Sequence, residues 1–220
     1  MDIGKIISEL KSSLPEGVKL VAVTKTKPPE IIEEAYKAGH KIFGENKVQE
    51  LVQKFEKLPE DIEWHFIGHL QSNKTKYLIP FVSMIHGIDS FKILKSVNKE
   101  AGKFGRVIPC LLQFHIARES TKFGLSEEEA FEILESGTFA RMENIKVAGV
   151  MGMATFTDNK EMVRSEFREL KAIFKKLKSS YFPEDPAFRE ISMGMSDDYD
   201  IAVEEGSTIV RIGSKIFGSR

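Results

Sequence analysis

The stretch KLVAVTKTKPPE, Lys19 to Glu30, decides how the rest of the chain is read. An apolar run, Leu20 to Val23, meets two lysines and then two prolines. Side chains alternate across a strand, so Val21, Val23 and Lys25 share a face, and Lys25 is expected to point inward behind two core valines. The turn that follows, KTKPP, has no glycine. A doubly wound sheet that binds a dinucleotide opens with a glycine-rich turn after its first strand, and this one does not. Outward from here, β-rich runs (KIFGE, IEWHFIG, SMIHGID, VIPCLLQFHI, IKVAGVMGM, FREISMG, TIVRIGS) alternate with helical patterns. Eight such strands predict parallel β-α units closing into an α/β fold, a single-domain (β/α)8 TIM barrel over residues 1–220. No linker or low-complexity tract divides the chain.

Composition narrows the function classes. Thirty-two basic and 33 acidic residues give a net charge of -1, so no global field favours nucleic acid or an anionic membrane. No apolar run approaches the ~20 residues needed to span a bilayer. The N-terminus carries Ile3, Ile6, Ile7 and Leu10 at helical spacing with charges between, which predicts a packed surface helix rather than a signal peptide. Cys110, alone and inside VIPCLLQF, is expected to be a buried structural thiol in a reducing, cytoplasmic setting. The long helical stretch 158–181 presents Met162, Phe167, Leu170, Phe174 and Leu177 on one face and a solvated basic face elsewhere.

Functional side chains of a barrel gather at the C-terminal ends of its strands, and Lys25 falls at such an end. An inward lysine there is either half of a buried ion pair or an amine kept for carbonyl chemistry, since desolvation leaves more of it neutral and nucleophilic. Lys27, before Pro28, is expected to face solvent. At the far end of the chain, SMGMSDD leaves strand seven through a glycine and places Ser196 in N-cap position; RIGSKIFG leaves strand eight through Gly213 and Ser214. Glycines and hydroxyls at such turns suit a phosphate, in the two loops where this fold usually holds one. Asp197 and Asp198 oppose this by charge, unless they face away. Barrel closure sets strand eight, with Arg211, beside Lys25. A lysine, an arginine and an anion cradle on one rim suit an aldehyde-bearing phosphate ester, and pyridoxal 5'-phosphate is one.

The ordered blocks AVTKTKP, FGENKVQE, WHFIGHLQSNK, STKFGL and ISMGMSDDYDIAVEEGSTIVRIGSKIFG resemble the pyridoxal phosphate homeostasis protein family, related to the N-terminal barrel of alanine racemase. The resemblance implies that Lys25 carries the cofactor as a Schiff base. It also implies that Ser196, Gly213 and Ser214, with backbone near Met195, hold the phosphate, and that Arg211 faces the pyridine nitrogen. Asn46 and His65, at the ends of strands two and three, would line the same mouth; a helix N-cap and a satisfied core histidine are their plain alternatives. His115 stands where the family commonly has asparagine.

Arginine at the ring nitrogen keeps it unprotonated and weakens the electron sink. The tyrosines (Tyr36, Tyr77, Tyr181, Tyr199) all fall in helical patterns, and the chain ends at Arg220 without the further domain from which racemases draw a second base. The expected function is therefore buffering or delivery of pyridoxal phosphate, without efficient catalysis. The expected partners are the cofactor and apo forms of enzymes that use it, with no nucleic acid, membrane or metal, and a monomeric chain. The alternatives are a single-domain racemase or lyase using the same cofactor, and a barrel holding a sugar phosphate through a transient imine.

Overall fold

In the computed structural model, which describes residues 2–118 and 123–218, eight parallel strands follow one another around a closed barrel. The strands are β1 (Lys19–Val23), β2 (Ile42–Glu45), β3 (Glu63–Phe66), β4 (Met84–Ile88), β5 (Ile108–Gln113), β6 (Ile145–Met151), β7 (Glu190–Ser192) and β8 (Ile209–Ile212). β8 returns to pair with β1, setting Val21 opposite Arg211. Each strand lies inside a run expected from the sequence. The first three residues of the STKFGL motif lie outside the described residues.

Helices wrap the barrel: α1 (Ile3–Ser13), α2 (Pro29–Lys37), α3 (Val48–Phe55), α4 (Thr75–Leu78), α5 (Phe91–Lys103), α6 (Glu127–Glu135), α7 (Lys160–Tyr181), α8 (Tyr199–Glu204) and α9 (Ser214–Phe217). Local chemistry sets their starts. Pro29 opens α2, where its missing N–H costs nothing, and Ser126 with Glu129 forms a capping box on α6. The main core lies between barrel and helices, with Phe43, Trp64, Phe66 and Phe167 fully enclosed. A smaller cluster, with Val21, Met84, Leu111, Met151 and Ile209, fills the barrel itself. Cys110 is buried as expected, and burial pushes its thiol pKa up, so it stays protonated.

α7 departs in part from its expected face. Phe167, Leu170 and Leu177 are buried, joined by Val163 and Ile173, while Met162 and Phe174 are only half-buried. Glu166 is buried among them. Its carboxylate accepts from Arg118 N (3.1 Å), Thr155 N (2.6 Å) and Thr155 Oγ1 (2.7 Å), which ties together the loops after β5 and β6. Spacing alone cannot distinguish such a carboxylate from a solvated one, because its partners come from distant loops.

Candidate functional site

β1 ends at Val23, and the chain turns at once through Thr24–Lys27, closed by Lys27 N donating to Thr24 O (3.0 Å). Lys25 is therefore exposed at the barrel rim, not buried behind the valines. The inward period is honoured at the other end of the strand. Lys19 donates to Glu190 Oε1 at 2.7 Å, so it is the residue that forms the partly buried ion pair. Thr26, next to Lys25, has φ 66°, a left-handed value that costs a non-glycine residue ~1 kcal/mol or more.

The side chains of Lys54, Glu45, Glu50 and Lys27 hold this strained turn. Lys54 of α3, 5% exposed, donates to Thr24 O (2.8 Å) and to Glu45 Oε1, and Thr24 Oγ1 donates to the same carboxylate oxygen (2.6 Å). Burial raises the Glu45 pKa, against the pull of the bonds from Lys54 and Thr24. Glu50 accepts from Thr26 N (3.0 Å). Lys27, expected in solvent, is half-buried: its ammonium donates to Phe217 O (2.9 Å) and Gly218 O (3.3 Å), lashing the turn to the end of α9.

Inside the barrel a polar chain runs between strands. Arg211 is 3% exposed; its guanidinium donates to Ser192 Oγ (2.7 Å) and Gly152 O (3.1 Å). Ser192 Oγ meets His86 Nδ1 (2.9 Å), and His86 Nε2 meets His65 Nδ1 (3.0 Å). Arginine can only donate, so one consistent assignment passes each proton onward: Ser192 to His86 Nδ1, then His86 Nε2–H to His65. Burial, aided by the Lys19 charge, depresses the His65 pKa to about 3. Burial, with His65, Arg211 and Lys19 close by, holds His86 well below its ordinary value. Both rings are neutral. Burial lowers Arg211 to about 10, still protonated at neutral pH. His65 lies one residue before the end of β3, buried, with its Nδ1 against His86. His86 and Ser192 carried no separate signal: each reads as a polar residue within an apolar strand.

The last two loops do converge. Ser196 Oγ accepts from Gly213 N (3.2 Å) and Lys215 N (3.5 Å), joining the loops after β7 and β8. Ser196 is not the cap of α8; Asp198 occupies that place, and its carboxylate takes the Met195 N–H at 2.5 Å. Gly213 packs closely here: a Cβ would lie 3.1 Å from Val23 O, a tight contact. That contact sets the loop against the end of β1, two residues before Lys25. Ser214 is exposed on the same rim. Lys215 Nζ lies over the Tyr199 ring (4.3 Å) and near its hydroxyl (3.3 Å). Asn46 follows β2 as expected, but the N-cap of α3 is Lys47, and Asn46 Oδ1 is buried with no protein partner. His115 is exposed after β5. Among the described residues, no histidine, cysteine and carboxylate group of three or more is placed to hold a metal ion.

The family model for the alanine racemase N-terminal domain matches residues 5–220. A pyridoxal phosphate homeostasis protein of Aquifex aeolicus (strain VF5) is 42% identical over 203 residues, 92% of this chain and 87% of that one. The chain belongs to this family. Solved structures of PipY from Synechococcus elongatus PCC7942, a member at 32% identity, superpose with TM-score 0.90 without pyridoxal phosphate and 0.86 with it bound. Both cover 98% of this chain and 100% of PipY. Alanine racemase from Bartonella henselae shares the fold at 15% identity and TM-score 0.72; this chain covers 58% of it.

Proposed function

We propose that this chain binds pyridoxal 5'-phosphate, holds it as a Schiff base on Lys25, and buffers or delivers it to apo enzymes in the cytoplasm as a monomer. One observation carries the carrier reading. The cation at the base of the mouth is a buried arginine, Arg211, whose guanidinium donates to a hydroxyl and a carbonyl, on the strand paired with β1, after which Lys25 follows.

The residues present fit the group. Ser196 Oγ already accepts N–H bonds from the loop after β8, as a phosphate oxygen would, and its hydroxyl would turn to donate to that oxygen. Ser214 lies beside it; the Met195 N–H would join only by leaving Asp198. Asn46 Oδ1 is an acceptor lacking a donor, the condition a phenolic hydroxyl would relieve. The cofactor supplies an aldehyde and, when its ring nitrogen is protonated, an electron sink. Arg211 stays protonated at neutral pH and can only donate, so it leaves that nitrogen unprotonated. A weak sink suits retention and release better than turnover.

Deuterium exchange separates carrier from enzyme. Protein loaded with the cofactor and incubated with common amino acids in D2O is expected to show negligible α-deuterium by mass spectrometry. Exchange at the ~1–10³ per second typical of enzymes would establish the racemase or lyase reading instead.

A further inference from the structure

We propose that His86 is a positioning residue that, through Ser192, aims the Arg211 guanidinium at the ring nitrogen of the cofactor, an inference that rests on the Arg211 reading above. Strand alternation places the group. Ile209 and Met84 belong to the apolar cluster inside the barrel, and Arg211 and His86 stand two residues further along the same strands, one layer nearer the mouth. Ser192 closes β7, and Gly152 follows β6. A polar layer drawn from β8, β7, β4 and β3 thus caps the apolar one. Arg211 is anchored there by two neutral oxygens, Ser192 Oγ at 2.7 Å and Gly152 O at 3.1 Å. Neither is a carboxylate, so the charge and the remaining N–H groups of the guanidinium are left for a ligand.

Of the two anchors only the serine can turn. A carbonyl oxygen is fixed by its peptide, whereas a hydroxyl rotates and offers the guanidinium either a lone pair or its proton. His86 settles which. Its Nδ1 stands 2.9 Å from Ser192 Oγ, and its Nε2 stands 3.0 Å from His65 Nδ1. Burial keeps both rings neutral, so each nitrogen of His86 is a donor or an acceptor and never both. A proton on Nδ1 would leave the serine proton without an acceptor among these contacts. A proton on Nε2, given to His65, leaves Nδ1 bare to take the serine proton, and the Oγ lone pair then faces the guanidinium. The bond to His65 fixes that tautomer. An apolar side chain in place of His86 would free the hydroxyl to turn its proton toward the cation, and Arg211 would lose one of its two anchors.

The test compares the affinity for pyridoxal phosphate with that for its 1-deaza analogue, which keeps the aldehyde and the phosphate but has C–H in place of the ring nitrogen. The ratio of the two Kd values isolates the bond at that nitrogen. It would be measured for the wild type, Ser192→Ala, His86→Leu and His86→Asn, each checked by its urea midpoint. The wild type should prefer pyridoxal phosphate about tenfold or more, the size of a bond from a charged donor. Ser192→Ala and His86→Leu should each cut that ratio by about fivefold. His86→Asn should keep it, because Oδ1 can stand where Nδ1 stood and accept from Ser192. A histidine that only fills space predicts that both affinities fall together with the ratio unchanged, and that result would overturn the proposal. Equal losses of the ratio in His86→Leu and His86→Asn would overturn it too. Nitrogen-15 spectra of histidine-labelled wild type read the tautomer without any substitution, should the variants not fold. His86 should carry its proton on Nε2, and a proton on Nδ1 would overturn the proposal. Equal wild-type affinities for the two ligands would remove the Arg211 reading and this inference together, whereas a wild-type preference that the variants leave intact removes this inference alone.

Discussion

A lysine stands at each end of β1, Lys19 as its first residue and Lys25 two residues past its last, and they meet opposite fates. Lys19, at the N-terminal end, reaches Glu190 at 2.7 Å, with Thr208 Oγ1 on the second carboxylate oxygen at 2.7 Å. Burial pushes the Glu190 pKa up, but these bonds outweigh it and hold it below its ordinary value. Lys25, at the C-terminal end, leaves the barrel on a strained turn and stands exposed. Strand period fixes which face a side chain takes; neighbours from other strands decide whether its charge is buried there. The pinned charges near Lys25 belong instead to Lys54, Glu45 and Lys27, which hold the turn while leaving the amine exposed. One end of the barrel is built to be stable, the other to present a group.

The comparison breaks first at Lys25 itself. Lys25→Ala should abolish the visible imine absorbance and leave the urea midpoint unchanged, because an exposed side chain is lost from a turn held by others. A large fall in stability would show that Lys25 is structural.

Acid should attack the barrel interior before the rim. The folded-state pKa values of His65 (about 3) and His86 lie below the unfolded value of ~6.5, so between these limits the unfolded chain binds the extra protons. Their contribution is complete above pH ~6.5 and is lost as pH falls, by about 1.4 kcal/mol per histidine per pH unit. Urea unfolding at pH 7, 6 and 5 should show this slope together with that of His40, which burial lowers to about 4, and His65→Asn should remove about a third of the total. A flat profile would mean the rings are charged in the fold.

Lys54→Met sharpens the contrast within the rim. It leaves Glu45 buried without its cation and frees Thr24 O, at an expected cost of about 3 kcal/mol in denaturant titration. Unlike Lys25→Ala, it should weaken both stability and imine yield. The smallest effect is expected for Lys27→Ala, which removes donors from the carbonyls of Phe217 and Gly218. A loss of ~1 kcal/mol would confirm the lashing of the turn to α9, and a silent variant would contradict it.

All eight strands and the long helices were legible because β-rich runs and helical patterns alternate along the chain. The convergence of the loops after β7 and β8 was legible because consecutive strands of such a barrel are neighbours, and Gly213 marks the close approach. The exposure of Lys25, the buried Lys54–Glu45 pair and the role of Lys27 were not. Each depends on a tertiary partner whose identity no local pattern encodes. The bond from His65 to His86 was not legible for a related reason: its partner stands on the neighbouring strand β4. Ser196 was assigned to the wrong helix cap because two candidate capping residues, Ser196 and Asp198, lie two positions apart.

The central claim is that, of the lysines this barrel carries, the exposed Lys25 takes the cofactor while Lys19, Lys27 and Lys54 stay committed to their bonds. Purified protein would be loaded with pyridoxal phosphate at one equivalent, reduced with borohydride, digested and mapped by mass spectrometry. The account predicts a single dominant reduced adduct on Lys25. An adduct spread over surface lysines, or centred on Lys19, Lys27 or Lys54, would contradict it.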